Sequence, residues 1–250
     1  MEKKKEWWHD FFEKDFRPFF GVLPARKTIH EVRYIIKKLG LKAGDSVLDC
    51  PCGFGRVSVP LAKMGMKVTG VDITGSYLEE LKESASKKGL KIATRPEDMR
   101  KIQFRNQFDA AVNLATSLGY FEDDRDNLLV VRKLFQAIKP GGHLMMHIIN
   151  RDWIIANFSP NGWMQFGNAI SFETRRFDYT RSINQVEWSF MKDGETHTHH
   201  VTLRVYAYHE LIDMFRKAGF VDITGFGSIK DEPVDRSRRW IWIFGTKPKR

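Results

Sequence analysis

The sequence predicts an α/β fold: a seven-stranded, mostly parallel sheet with helices on both faces, carrying an antiparallel β insertion. Two observations lead there. Short apolar runs alternate with helix-period segments through the first 150 residues, the pattern of a covered parallel sheet. From Asn150 to about Tyr208 the apolar period changes to two. A length of 250 residues with 42% hydrophobic content suits one large domain with an insertion and argues against a disordered chain.

The elements follow in chain order. Ser46 to Asp49 is a short buried strand, followed by a Gly-bearing turn and a helix from Val57 to Lys63. Lys67 to Val71 is the second strand, and Gly75 to Lys88 a helix with Leu78 and Leu81 on one face. Lys91 to Ala93 and Phe108 to Asn113 are the third and fourth strands. Asp126 to Ile138 has helical spacing at Leu128, Val131, Phe135 and Ile138, and stops at Lys139-Pro140-Gly141-Gly142. His143 to Ile149 is the fifth strand. Ser171 to Phe177, the alternating Val186, Trp188 and Phe190, and the alternating Val201, Leu203 and Val205 form the insertion, with a hairpin turn at Asp193-Gly194. A helix through Leu211, Phe215 and Ala218 ends at Gly219, and strands Val221 to Phe226 and Trp240 to Thr246 complete the sheet. The expected organisation is a helical lid over 1–40, a sheet domain over 41–150 and 208–250, and an insertion over 151–207.

Composition excludes several classes. No apolar run approaches the roughly 20 residues of a membrane helix, and the charged, aromatic start lacks the apolar stretch of a secretion signal. Cys50 and Cys52 lie too close together for an ordinary disulfide framework. A cytoplasmic protein is expected. The net charge of +10 raises the prospect of a nucleic-acid or acidic partner, but the excess gathers at Lys3 to Lys5, Arg236 to Arg239 and Lys247 to Arg250. No RNA-binding or zinc-finger signature accompanies it, so nucleic acid is not expected.

The segment carrying chemistry is VLDCPCGFGRVSVPLAKMGMKVTGVDIT, residues 47–74. A strand ends in an acid, Asp49, and runs through Gly53-Phe54-Gly55 into a helix. Glycines there let backbone approach a ligand, and a helix N-terminus offers unpaired N–H groups. Asp72 closes the second strand, where an acid can accept both hydroxyls of a ribose. Each residue has a plainer alternative: Asp49 as a helix cap, Asp72 as a surface turn, Asp98 as a cap after Pro96, Asn113 as a partner for strand-end backbone.

At these residues the chain resembles the class I S-adenosylmethionine-dependent methyltransferases. Asp49, Gly53 and Gly55 match the family's first motif, with Pro51 standing where a glycine is usual and having no N–H to offer. The resemblance implies a Rossmann-like sheet and S-adenosylmethionine as cofactor. It also implies that Asp72 and Ile73 lie at the ribose, Asp98 and Met99 at the adenine, and Asn113, Leu114 and Ser117 beside the sulfonium. Gly119-Tyr120-Phe121 and Pro140-Gly141-Gly142 are further family marks. The likeness covers about residues 40–150 and 208–246.

A nicotinamide-dependent dehydrogenase is the natural competitor, but Ser58 stands where its third small residue belongs. An acid ending the first strand suits a cofactor with an ammonium group and no pyrophosphate. Asn113-Leu114-Ala115-Thr116 lacks the Pro-Pro-aromatic continuation found in enzymes methylating planar nitrogens, and Pro51-Cys52 is in the wrong loop for a cytosine C5 enzyme. Methyl transfer by in-line displacement needs positioning rather than a nucleophile, so the lack of a triad is expected.

Tyr120, His147, Arg204 and Tyr206 are the candidate catalytic residues, with Arg151 a further acid–base candidate. Arg204 and Tyr206 share a face opposite the apolar stripe and are expected to look into the pocket, holding an acidic group of a small-molecule acceptor; a solvated outer face is the alternative. His197-x-His199-His200 has no carboxylate or thiolate at ligand spacing, so no metal is expected. Trp8, Phe12 and Phe16 fall on one helix face and, with Trp7, Phe11, Phe19 and Phe20, suggest a lid over the cofactor, ordinary packing being the alternative. The insertion stripe is expected to close the active-site mouth or to form a homodimer contact. The expected function is methyl transfer to O or N of a small molecule. RNA or protein methylation, or a non-catalytic cofactor-binding subunit, are the alternatives.

Overall fold

Ser46–Asp49 (β1) is buried at its last three positions and therefore needs cover on both faces and both edges. Its edges are taken by Lys67–Asp72 (β2) and Phe108–Asn113 (β4), both parallel to it. Ala93–Pro96 (β3) pairs outside β2, and Ile138–Ile149 (β5) outside β4. Val221–Phe226 (β10) and Trp240–Thr246 (β11) complete a seven-stranded sheet of order β10-β11-β5-β4-β1-β2-β3, with β11 antiparallel to both neighbours. This computed structural model describes residues 6–12, 25–166, 169–192 and 194–249.

Helices cover the sheet on two sides. Ala25–Lys38 (α2) and Ser58–Lys63 (α3) bring Val32, Ile35 and Leu61 onto one face, with Val47, Val68 and Trp242. Gly75–Ser86 (α4) sets Leu78 and Leu81 against Cys52. Asp124–Ala137 (α5) and Tyr208–Ala218 (α7) bury Val131, Leu134, Leu211 and Phe215 on the opposite face. Each such side chain contributes about 1.5–3 kcal/mol relative to exposure. Ends are set locally. Asp123 accepts from the Arg125 N–H at the start of α5, Glu210 accepts from the Ala207 N–H at the start of α7, and Gly219 closes α7 with φ 107°.

The insertion forms its own antiparallel sheet of Asn161–Phe166 (β6), Ala169–Asp178 (β7), Ile183–Lys192 (β8) and Glu195–Arg204 (β9), in sequential order. It is preceded by the short helix Arg151–Ala156 (α6), which Asn150 caps. Both edges of β5 are already taken, by β4 and β11, so these strands have no place in the main sheet. Strand β6 and helix α6 carry no clear sequence period and were not anticipated. The third strand lies at 93–96 rather than 91–93, because pairing with β2 runs from Thr69 to Asp72 and tolerates Pro96 on an edge. The expected turn at Lys139 to Gly142 is instead an irregularity within β5, where the pairing shifts between Phe108↔Ile138 and Ala110↔His143.

At the N-terminus, Trp8–Asp10 (α1) is a single helical turn that widens through Phe11 and Phe12. Phe16, Phe19 and Phe20 lie outside the described residues. Phe11 packs on the insertion stripe, its ring 5.4 Å from Trp188 and 6.2 Å from Phe190. That part of the stripe is thus covered by the chain's own N-terminal segment.

The exit from the insertion is fastened to the loop after β4. The Arg204 N–H donates to the Gly119 carbonyl at 2.8 Å, and a Cβ on Gly119, whose φ is +102°, would come within 2.1 Å of the Arg204 oxygen. Gly119→Ala should therefore destabilise the protein by about 1–3 kcal/mol in urea unfolding. An unchanged unfolding midpoint would show that this contact is not tight.

Candidate functional site: a nucleoside-sized cleft at the strand ends

The carboxyl ends of β1, β2 and β4 open into a cleft of about 930 Å³, counting space continuous with solvent. Among the residues lining it are Asp49, Pro51, Gly53, Asp72, Ile73, Asp98, Met99, Leu114, Ser117 and Tyr120, all singled out in the sequence. Trp8, Phe12 and Tyr120 form an aromatic side of the cleft, the rings of Phe12 and Tyr120 lying 5.6 Å apart and Trp7 standing 5.2 Å from Tyr120. Gly55 does not line the cleft. With φ +88° it brings the turn onto Leu81, where a Cβ would meet Cδ1 at 2.2 Å.

Two buried carboxyls dominate the floor. The Ser58 hydroxyl donates to Asp49 at 2.6 Å. Burial nonetheless pushes the Asp49 carboxyl up to about 7. Asp72 accepts from the backbone N–H groups of Gly53 at 2.7 Å and Thr74 at 2.9 Å, and burial raises it as well. Neither carboxyl has an ion-pair partner among the described residues, for Arg56, the cation lining the same cleft, is bonded to Glu31. The cleft therefore holds acidic capacity that the chain leaves unbalanced. A ligand with a nucleoside and positive charge fits it, and a pyrophosphate would be repelled. Asn113 lies just beneath, its Nδ2 donating to the Cys50 carbonyl at 2.8 Å while its buried Oδ1 has no partner among the described residues.

Asp98 differs from the simple expectation. Burial pushes its carboxyl up, but Arg100 outweighs that and holds it below the usual range. The Arg100 guanidinium reaches Asp98 at 2.7 Å, Glu6 at 2.8 Å and Asp126 at 3.2 Å, and lies 4.1 Å over the Phe121 ring. One cation thus ties the expected adenine end of the cleft to the N-terminal segment.

Three of the four candidate catalytic residues are not lining residues of the cleft. Arg204 contacts Glu210 at 2.6 Å and Asp124 at 3.2 Å, bonds the Val205 carbonyl, and sits 4.3 Å over the Tyr206 ring. Tyr206 donates to Asp124 at 2.7 Å. The two do share a face, but it is turned to α5 and α7, where opposite charges can be satisfied. His147 is buried between Trp240 and Trp242, and burial, with Arg56 and Lys27 adding to it, lowers its pKa to about 3. Only Tyr120 lines the cleft, and burial raises its phenol. Sequence reasoning gave no role to Arg56 and Tyr77, which also line the cleft. Tyr77 had a weak signal, one turn into the helix after Asp72; its hydroxyl donates to the Phe12 carbonyl at 2.5 Å.

This sheet order, with a cleft at the strand ends, defines a Rossmann-like fold. Residues 47–142 match the family model described as a methyltransferase domain. A curated relative, the ubiquinone biosynthesis O-methyltransferase of Photorhabdus laumondii, is 29% identical over 153 residues, 60% of this chain and 60% of its own length. The chain thus spans less than two thirds of that relative. Two solved structures share the fold at a TM-score of 0.80. The CcbJ methyltransferase of Streptomyces caelestis is 17% identical, with 95% of this chain and 98% of that one covered. An S-adenosylmethionine-dependent methyltransferase from Clostridium acetobutylicum is 14% identical, with 96% and 99% covered. Over residues 47–142 the chain is thus similar to methyltransferase domains, and the solved structures share its fold.

Asp49 gives a test of the electrostatics. Its pKa rises from 3.8 to about 7 on folding, so the folded state holds this proton more tightly and stability falls as pH rises through that interval. Asp49→Asn removes the loss. Its melting temperature relative to wild type should be close at about pH 4 and increasingly higher toward about pH 8. A difference independent of pH would contradict the burial argument.

Proposed function

We propose that the protein transfers the methyl group of S-adenosylmethionine to an oxygen or nitrogen atom of a small-molecule acceptor. The observation that carries this reading is the pair of buried, unbalanced carboxyls, Asp49 and Asp72, facing aromatic rings across one cleft. Asp72 would hold the ribose hydroxyls, Asp49 with the Gly53 turn the aminoacyl end, and Asp98 with Met99 the adenine. When bound, the cofactor supplies a methyl group on positively charged sulfur. Trp8, Phe12 and Tyr120 would exclude water and favour that charge through their ring faces.

The chain's own part in the reaction is positional. An in-line displacement requires the acceptor atom behind the methyl carbon, and rigid strand ends supply that placement. Tyr120, kept protonated by burial, can orient an acceptor lone pair but is not poised as a base. The small-molecule reading is supported by the insertion and N-terminal segment, which meet through Phe11 and Trp188. The curated relative's name gives oxygen as one precedent for the target atom.

Asp72→Ala should weaken cofactor binding about ten- to a hundred-fold in calorimetry, the loss of roughly 1.5–3 kcal/mol of charge-assisted bonding. Unchanged affinity in a folded variant would contradict the ribose role. Replacing Trp8 and Phe12 together with Ala should cut production of S-adenosylhomocysteine across a small-molecule panel while far-ultraviolet circular dichroism stays unchanged. Normal turnover would reduce these rings to packing.

A further inference from the structure

One cation near the cleft has aromatic walls and no ion-pair partner among the described residues. Arg239 stands at the entry to β11, at the carboxyl end of β5, where the Asn150 N–H donates to its carbonyl at 2.9 Å. Its guanidinium lies 5.1 Å from the Trp153 ring centre and 5.0 Å from that of Trp240. The side chain is open to solvent, yet it forms no ion pair with any described residue. A chain of contacts links the place to the cleft. Ala115 lines the cleft, the Thr116 N–H donates to the His147 carbonyl at 2.9 Å, and the His147 ring lies 4.7 Å from Trp240.

The surroundings set what kind of anion fits. On the inner face of the insertion, Glu173 is buried and bonded to Arg175, and both charges act on Arg239. These three groups sum to one unbalanced positive charge. His147 adds none, being 7% exposed, neutral, and carrying an Nδ1 with no partner among the described residues. A singly charged, planar oxyanion satisfies a guanidinium fork, whereas a dianion would face Glu173. The flanking indoles favour an aromatic or other flat ring attached to it.

We propose that Arg239, between Trp153 and Trp240, is the specificity-determining contact for a carboxylate on a ring-bearing acceptor. This deepens the methyltransferase reading and rests on it: the carboxylate is held at Arg239 while the acceptor's O or N atom extends past Thr116 toward the cleft. Arg239 takes the role that the sequence reading gave to Arg204.

The test is calorimetry on the full chain saturated with S-adenosylhomocysteine, using 3- and 4-hydroxybenzoate, the matching hydroxybenzamides, and phenyl phosphate. At least one hydroxybenzoate should bind ten-fold or more tightly than its amide. Arg239→Gln should abolish that preference without changing affinity for S-adenosylhomocysteine, and Arg239→Lys should restore it in part. Equal binding of acids and amides, a preference that survives Arg239→Gln, or tighter binding of phenyl phosphate would each overturn the subsite alone. Failure of S-adenosylhomocysteine to bind the wild-type protein would overturn the methyltransferase reading, and the subsite with it.

Discussion

Asp49 and Asp72 end adjacent parallel strands, are buried, and form no ion pair with any described residue. Much of the site's construction follows from keeping them tolerable. Water is replaced by the Ser58 hydroxyl on one carboxyl and by the Gly53 and Thr74 N–H groups on the other. Arg56, which could have neutralised Asp49, is drawn off by Glu31 and Thr28 on α2. Buried carboxyls of this kind cost stability, and in the proposed function the cofactor's positive charge offsets that cost.

The rest of the molecule builds around that floor. Gly55 lets the turn close against Leu81, which fixes α4 and with it Tyr77. Tyr77 bonds the Phe12 carbonyl, and Arg100 joins Asp98 to Glu6, so the N-terminal segment is fastened at both ends of the cleft. Phe11 continues that segment onto the insertion. The insertion in turn is anchored by Arg204, Tyr206, Asp124 and Glu210, a set of partly buried charges that satisfy one another. Arg204 and Tyr206 act here as fasteners, holding the sheet that carries Glu173 and Arg175 near the cleft.

Local signals explain which features could be read in the sequence. Strands β1, β2, β4 and β11 are short apolar runs whose burial leaves little choice, and the glycines after β1 signal a turn, Gly53 and Gly55 both having positive φ. Edge elements were less legible. Strand β3 is half exposed and β6 reads NGWMQF, so neither has a periodic apolar face. Side-chain direction at the end of the insertion was also hidden. Alternation correctly put Arg204 and Tyr206 on one face, but which neighbour that face meets depends on α5 and α7, which lie 80 and 6 residues from Arg204 at Asp124 and Glu210. The Arg239 environment was opaque for the same reason: its two indoles come from α6 and β11, and its charges from β7.

The central claim is that the cleft keeps a buried carboxyl in want of a cation. Carbon-13 NMR of the Asp49 carboxyl, titrated with and without S-adenosylmethionine, tests it most directly. In the free protein the midpoint should lie near 7, and the bound cofactor should move it well below that value by supplying positive charge. A midpoint already in the ordinary carboxylate range without ligand, or one that the cofactor leaves in place, would contradict the account.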